Sequence, residues 1–555
     1  MFLERHRATL DAAVAALDAR GYWSAYPEAP SGKIYGESAN DDAKKAFEAQ
    51  LGQPFALDQS ANGTVGAEHS PYGFDLKIAY PRLDPEPALA NAAAARASLR
   101  KAGVEARTGA CLEILHRLNR MSFEIAYAVM HTTGQGFVMA FQAGGPHAQD
   151  RGLEAVATAW REMARVPAHA RWEKPQGKNP ALVMEKDYRI VPKGIGLAIG
   201  CATFPTWNTY PALFANLATG NPTLVKPHPA AVLPLALTVR VARTVLKEAG
   251  IDPNAVQLVA DSLYAPVAQI LARRPEVALI DYTGGPEFGA WLSANAGHAT
   301  IFAEKAGTNA VVVESTDDAK GMFQNLAFSL SLYSGQMCTT PQNIFVPASG
   351  VKTPDGPLSP EAFGQKLSEA IDRLLGDPAR AAEVLGAIQS QATLARIEAA
   401  NRNGRIVRAS APAAHPVFPE AALRTPLIMA AGVEETALYG HEMFGPISFV
   451  VTAPDRDAAL DAAFGTIARK GAITAAVYST DPAFLEAAAE RAADVGVALS
   501  ENLTGGVFVN QSAAFSDFHA TGCNPAANAS LTDAGFVAPR FHVAQVRRAG
   551  KAAAA

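Results

Sequence analysis

The sequence predicts an α/β protein built on doubly wound parallel sheets, and three observations predict it. Between residues 194 and 297 short apolar runs alternate with helix-length amphipathic runs, as in units whose strands are buried on both faces. The same alternation restarts at 309 and continues to 479. Hydrophobic residues are 49% of the 555 and charged residues 18%, enough apolar surface to fill large cores.

The elements follow in order. An opening helix is expected from Leu3 to Arg20, then Gly- and Pro-rich turns and KAFEAQLGQPF. Residues 1–80 carry no chemical motif and read as an N-terminal extension packed on the main body. From about Pro87 the chain turns helical: Cys111, Ile114, Leu115, Leu118, Met121, Ile125 and Val129 recur with a helical period, and Gly134 ends the run. Cys111 belongs to that stripe and is expected in the core. A further helix covers about Arg151 to Arg165. ALVMEKDYRIVP (181–192) reads as an apolar run, a turn and a second strand-like run, part of a β-ribbon over about 172–193.

GIGLAIG (194–200), PTLVKP (222–227), AVQLVA (255–260) and VALIDYTGG (277–285) then read as buried strands, with helices at 210–218, 233–250, 266–274 and 286–297. A second unit holds NAVVVES (309–315), NIFVPA (343–348), PISFVV (446–451) and ITAAVYS (473–479), with helices near 317–333 and 359–376. RFHVAQVRR (540–548) reads as a final strand. The chain thus divides into 1–80, a first α/β unit at 81–308, a second at 309–505, and 506–555, which returns to the first unit.

Several function classes are disfavoured. Net charge is −5 with no block of like charges, so neither nucleic acid nor an anionic membrane is expected as a partner. Cys111, Cys201, Cys338 and Cys523 lie far apart, without CxxC or zinc-type Cys/His spacing, so no metal site is expected. The opening MFLERHRATL is charged from Glu4 onward, and no apolar run reaches the ~20 residues that span a bilayer. The expectation is a reduced, cytoplasmic protein.

Chemistry concentrates in a few stretches. SLYSGQMCTTPQNIFV (331–346) holds Cys338 ahead of an apolar strand, and IFAEKAGTN places Glu304 34 residues before it. LVKPHP puts Lys226 at the end of a strand, DYTGGPEFG puts Gly284 and Gly289 after another, and HEMFGP carries Glu442 and Phe444. Parallel sheets of this type bind ligands beyond the carboxyl ends of their strands. A thiol attacks a carbonyl readily and later leaves, and a carboxylate takes protons. Alone, a Cys reads as core, a Glu as a strand-end acid, a strand-end Lys as solvated, and GxxxxG as weak. E-x-x-G followed 34 residues later by G-Q-x-C, with E-x-F-G-P beyond, is a specific combination.

On those motifs the chain resembles the aldehyde dehydrogenase superfamily over about residues 80 to 550. The resemblance implies a Rossmann-type cofactor domain, an α/β catalytic domain and a β-ribbon that assembles a homodimer, with a tetramer as the larger possibility. It implies NAD(P)-dependent oxidation of an aldehyde to an acid. Cys338 would be the nucleophile, forming a thiohemiacetal and then a thioester, and Glu304 the general base. Lys226 would bond the adenosine ribose, Gly284 and Gly289 would let the backbone approach the pyrophosphate, Glu442 would hold the nicotinamide ribose, and Phe444 would pack beside the ring.

Two departures qualify it. The family places an oxyanion-donating Asn on the loop after the first Rossmann strand, which here reads CATFPTWNTYP. Spacing from Gly220-Asn221 puts Thr203 at that position, while Asn208, five residues on, is the alternative. NAD-preferring members carry an acid three residues after the Lys, where it would repel a 2′-phosphate, and here that position is Pro229. With Lys226 and His228 beside it, NADP becomes the favoured cofactor and NAD the alternative. Cys201 has no base supplied to it and reads as structural. The E-x-A-G-T-N form at Glu304, the long N-terminal block and GGPHAQDRGLEAV (144–156) look like the PaaN type of phenylacetic acid degradation protein. That implies a CoA-linked substrate, 3-oxo-5,6-dehydrosuberyl-CoA semialdehyde, with any hydratase on a separate protein. The rivals are a CoA-acylating dehydrogenase, which usually lacks the base at Glu304, and a non-catalytic binding protein that keeps the fold.

Overall fold

The structure is a computed structural model that describes residues 2–551 apart from Ala306. Two parallel sheets carry the molecule. The first has five strands in the order Thr300–Lys305, Val277–Gly284, Ile195–Ile199, Thr223–Lys226 and Val256–Leu258, every neighbouring pair parallel. Ile195–Ile199 is buried along its whole length, as expected of a strand covered by helices on both faces. Gly196 lets the helix Pro205–Thr219 lie close, since a Cβ there would sit 2.3 Å from Asn216 Nδ2.

The second sheet has seven strands: Arg405–Arg408, Leu427–Gly432, Ile447–Ala453, Asn343–Pro347, Ala310–Val313, Thr474–Tyr478 and Ala498–Glu501. All pairs are parallel except the first, which is antiparallel. The α/β class and the two doubly wound units read from the sequence are present. Helix ends differ by a few residues, and one difference matters. The helix expected from 210 begins at Pro205, because proline suits the first turn of a helix, where its missing N–H costs nothing. Asn208 therefore stands on a helix rather than in a loop.

The ribbon also differs from its reading. No turn interrupts 181–192. Asn179–Pro192 is one strand, paired antiparallel with His169–Gln176 on one side and Phe541–Ala549 on the other. The turn lies at Gly177, φ 61°. The polar stretch Glu185-Lys186-Asp187 mimics a turn because the ribbon is solvated. Its charges are satisfied across strands, Arg171 Nη1 to Glu185 Oε1 at 2.8 Å and Asp187 by His169 and Arg548.

The opening helix is broken at His6 into Phe2–Arg5 and Arg7–Ala19. Leu3, Leu10 and Leu17 are buried in the same core as Ile114 and Phe214. The extension also caps a helix of the first unit: the N–H groups of Val232 and Leu233 donate to Glu68 Oε1 at 2.6 and 3.1 Å, at the start of Leu233–Glu248. A carboxylate there meets the positive end of the helix dipole. Among the described residues no helix is long and apolar enough to cross a membrane.

Candidate active site

Cys338 follows a strained turn. The helix Ala319–Ser331 ends, and Tyr333, Ser334 and Gly335 all take positive φ, 52°, 47° and 64°. Such a conformation costs about 1–3 kcal/mol at each non-glycine residue. The surroundings hold it in place. Tyr333 Oη donates to Thr133 O, Ser334 Oγ to Leu385 O at 3.0 Å, and Gln336 Nε2 to Ala387 O at 3.0 Å. Gly335 is required twice over, since a Cβ would fall 2.4 Å from Gly445 O. The Cys338 carbonyl is pinned by Asn309 Nδ2 at 2.7 Å, while Asn309 Oδ1 accepts from Ile473 N at 3.0 Å. The Asn of the E-x-A-G-T-N motif thus ties the cysteine to the second sheet.

Glu304 stands on the edge strand of the first sheet and is buried. A returning segment clamps that strand: Lys305 N donates to Ala526 O at 2.6 Å and Ala303 N to Asn528 Oδ1 at 2.7 Å. The same segment, almost without regular structure, delivers His519, which no motif in the sequence marks. Its Nε2 lies 3.1 Å from Glu304 Oε1 and 3.7 Å from Cys338 Sγ. Burial alone would raise the Glu304 carboxyl, but His519, the Cys338 hydrogen bond and Arg151 together outweigh it and hold the group below the usual carboxylate range. Burial pushes the Cys338 thiol well up, and the Glu304 charge adds to the rise.

Thr203 and Asn208 part company here. Asn208 Nδ2 reaches Glu304 Oε2 at 3.4 Å, and its side chain lines the cavity that Cys338 faces. Cys201 sets its orientation, since Sγ donates to Asn208 Oδ1 at 3.5 Å and so leaves the amide N–H groups toward the cavity. Thr203 lies beside Cys201, its carbonyl taken by Gln135 Nε2 at 2.8 Å, and it is not among the lining residues. Of the two candidates for the oxyanion donor, the helix starting at Pro205 brings Asn208, the alternative, to the cavity, while Thr203 lies before the helix and off the lining.

The cavity holds about 560 Å³. Its inner wall is aromatic and aliphatic, with Phe204, Trp207, Phe328, Leu332 and Phe508. Its outer wall includes Tyr22, Trp23, Ser24 and Glu28 from the N-terminal extension. Ser24 Oγ and Ala25 N both donate to Asp150, which fixes that wall to the helix Pro146–Ala164.

Of the residues expected at a nucleotide cofactor, Lys226, His228, Pro229 and Gly284 lie at or just past the carboxyl ends of first-sheet strands, Gly289 lies on the helix Pro286–Asn295, and Glu442 and Phe444 lie just before the second-sheet strand Ile447–Ala453. Lys226 ends its strand and is buried against Asp261, Nζ to Oδ1 at 2.8 Å. That approach is off-axis for a hydrogen bond, which leaves the buried Asp261 oxygen with an acceptor position to fill. A ribose hydroxyl fits that need. His228 is pushed down to about 4 by burial and by Lys226, so it is neutral at pH 7. Pro229 follows it on the loop. Gly284 and Gly289 both pack tightly, a Cβ meeting Tyr282 Oη or Lys305 Cδ at 2.5 Å, and the open approach lies between them at Gly285, where a Cβ would touch nothing within 4 Å. Glu442 is raised to about 7 by burial, and its charge is felt at Cys338. Phe444, φ 31°, is held by Arg396 Nη1 on its carbonyl at 2.7 Å.

The family model of the aldehyde dehydrogenases matches residues 80–522. The crystal structure of an NAD-dependent aldehyde dehydrogenase from Burkholderia multivorans is 56% identical, covers 99% of both chains and superposes with a TM-score of 0.97. A 1-pyrroline-5-carboxylate dehydrogenase from Geobacillus kaustophilus is 26% identical over 314 residues, spanning 54% of this chain and 56% of its own. The Thermus 1-pyrroline-5-carboxylate dehydrogenase with bound NAD is 18% identical with a TM-score of 0.72, over 96% of this chain and 99% of that one, a likeness of fold alone.

Proposed function

The chain belongs to the aldehyde dehydrogenase family, and from that premise we propose that it oxidises an aldehyde to its carboxylic acid with NAD as hydride acceptor. The observation that carries the reading is the convergence of Cys338 and Asn208, which line one cavity, with the buried Glu304, whose Oε2 lies 3.4 Å from Asn208 Nδ2. Cys338 Sγ adds to the carbonyl carbon. Asn208 Nδ2 and the Cys338 backbone N–H hold the oxygen as it becomes negative. Lys226 and Asp261 would hold NAD at one end and Glu442 and Phe444 at the other, where it would supply the hydride acceptor. Glu304, kept ionised at neutral pH, takes a proton from the water that cleaves the thioester on Cys338.

We propose NAD in place of the NADP that Pro229 suggested. Asp261 supplies from a neighbouring strand end the acid that Pro229 lacks, and it faces the same lysine. His228 is neutral and offers no charge to a 2′-phosphate. The Burkholderia multivorans relative is named as NAD-dependent.

The CoA-linked semialdehyde implied by the PaaN-type resemblance draws no support from the cavity. Its charged lining is Glu28, Asp150 and Glu383 against Arg151 and His147. Arg151 is already paired with Glu154, and His147 with Glu28. A polyanionic CoA finds no free basic group among these residues, and we favour an aldehyde with an apolar body and a neutral or cationic end. Glu304 stands against CoA-acylating chemistry. For assembly, we propose a homodimer joined through the ribbon.

The test follows reduced-nicotinamide absorbance with aldehydes of graded length, including a CoA-linked semialdehyde, and with NAD and NADP in parallel, Cys338→Ala serving as the blank. Signal with NAD and none in the blank is expected. Equal turnover by Cys338→Ala, or silence with every pair, would overturn the reading.

A further inference from the structure

One nitrogen stands between the nucleophile and the base. His519 Nε2 is 3.7 Å from Cys338 Sγ and 3.1 Å from Glu304 Oε1, and the reactive atoms of all three side chains lie within 4.8 Å of one another. The ring is 5% exposed and stands edge-on to Trp207, centroids 4.6 Å apart. Its Nδ1 is buried with no hydrogen-bond partner. A buried orphan donor costs more than a buried orphan lone pair, so the ring proton belongs on Nε2. It points at the carboxylate and the sulfur together.

We propose that His519 is a catalytic residue, whose Nε2–H follows the negative charge of the site from Glu304 to Cys338 as the thiol is ionised. The Cys338 S–H bond breaks, an O–H bond forms on Glu304, and sulfur keeps the electron pair. The imidazole neither gains nor loses a proton. Its N–H turns from Oε1 to Sγ and becomes a charge-assisted hydrogen bond to the thiolate. The need for such a donor is plain from the other groups around the sulfur. Burial, Glu304, Cys201 and Glu442 all oppose a thiolate at Cys338, while Arg151 acts on Glu304. Asn208 Nδ2, the nearby amide donor, is directed to Glu304.

The role rests on the aldehyde-oxidising reading, but its test reads the thiol without any aldehyde. Alkylation of Cys338 by iodoacetamide is followed against pH in the full-length wild type, His519→Leu, His519→Gln and His519→Asn, with Cys338→Ala giving the background from the other cysteines. Glutamine places an amide N–H near the Nε2 position; leucine has no donor, and asparagine is too short to reach the sulfur. His519→Leu and His519→Asn should react at least about tenfold more slowly at neutral pH, with ionisation displaced to higher pH, and His519→Gln should recover most of the rate. Wild-type rates and profiles in His519→Leu, or in His519→Asn should the leucine variant not fold, would overturn the proposal. A wild type that ionises as described yet oxidises no aldehyde would instead overturn the reaction assigned to the site.

Discussion

Asn208 and Thr203 are separated by five residues, and the fold places the first on the cavity lining beside Glu304 and the second beside Cys201, off that lining. Removing an oxyanion donor costs about 10²–10³ in turnover. Asn208→Ala should therefore lose that much kcat, and Thr203→Ala less than about tenfold, a ranking that steady-state kinetics checks. Glu304→Gln keeps the shape of the base without its charge, so deacylation should slow most. Acyl-enzyme should accumulate in rapid-quench mass spectrometry, and unimpaired steady turnover with none trapped would remove Glu304 from the role. At the cofactor end, Asp261→Asn removes the carboxylate that faces Lys226. The ratio of NADP to NAD turnover should rise about tenfold or more as repulsion of a 2′-phosphate is lifted.

The elements that hold these residues differ in how far the sequence discloses them. The strands of both sheets are legible because burial on both faces leaves continuous apolar runs, and Cys338, Glu304 and Glu442 are legible because their motifs keep fixed order. His519 is not, since the segment 502–530 has almost no regular structure and its placement comes from single contacts such as Ala303 N to Asn528 Oδ1. The ribbon strand Asn179–Pro192 misleads for the opposite reason: solvated strands carry charges that resemble a turn. The N-terminal block shows no motif, yet Glu68 caps the helix Leu233–Glu248 and Asp150 receives Ser24 and Ala25. Burial raises both acids to about 7, above their unfolded values. The folded state thus holds protons that the unfolded chain releases, and this stability is full below the unfolded pKa, near 4, and is lost as pH rises through about 7. Unfolding midpoints should fall between pH 5 and 8, and Glu68→Gln with Asp150→Asn should flatten that slope.

For the whole molecule, the ribbon is an exposed apolar feature that suits the proposed dimer. Trp172, Leu182 and Met184 share one face of it, and Leu182 is 49% exposed. Its outer strands also leave backbone groups unpaired along both edges, which a second copy can satisfy. Leu182→Asp should shift the mass in light scattering from dimer toward monomer without changing the secondary structure seen by circular dichroism. The cavity wall supplied by residues 22–28 has a different kind of consequence. The groups proposed to react span 208 to 519, as does much of the cavity lining, while residues 22–28 add a wall from a separate length of chain. Substrate preference then has one modular part. Exchanging the opening segment between relatives would retune which aldehydes enter while leaving the thiol, its base and the cofactor seat as they are.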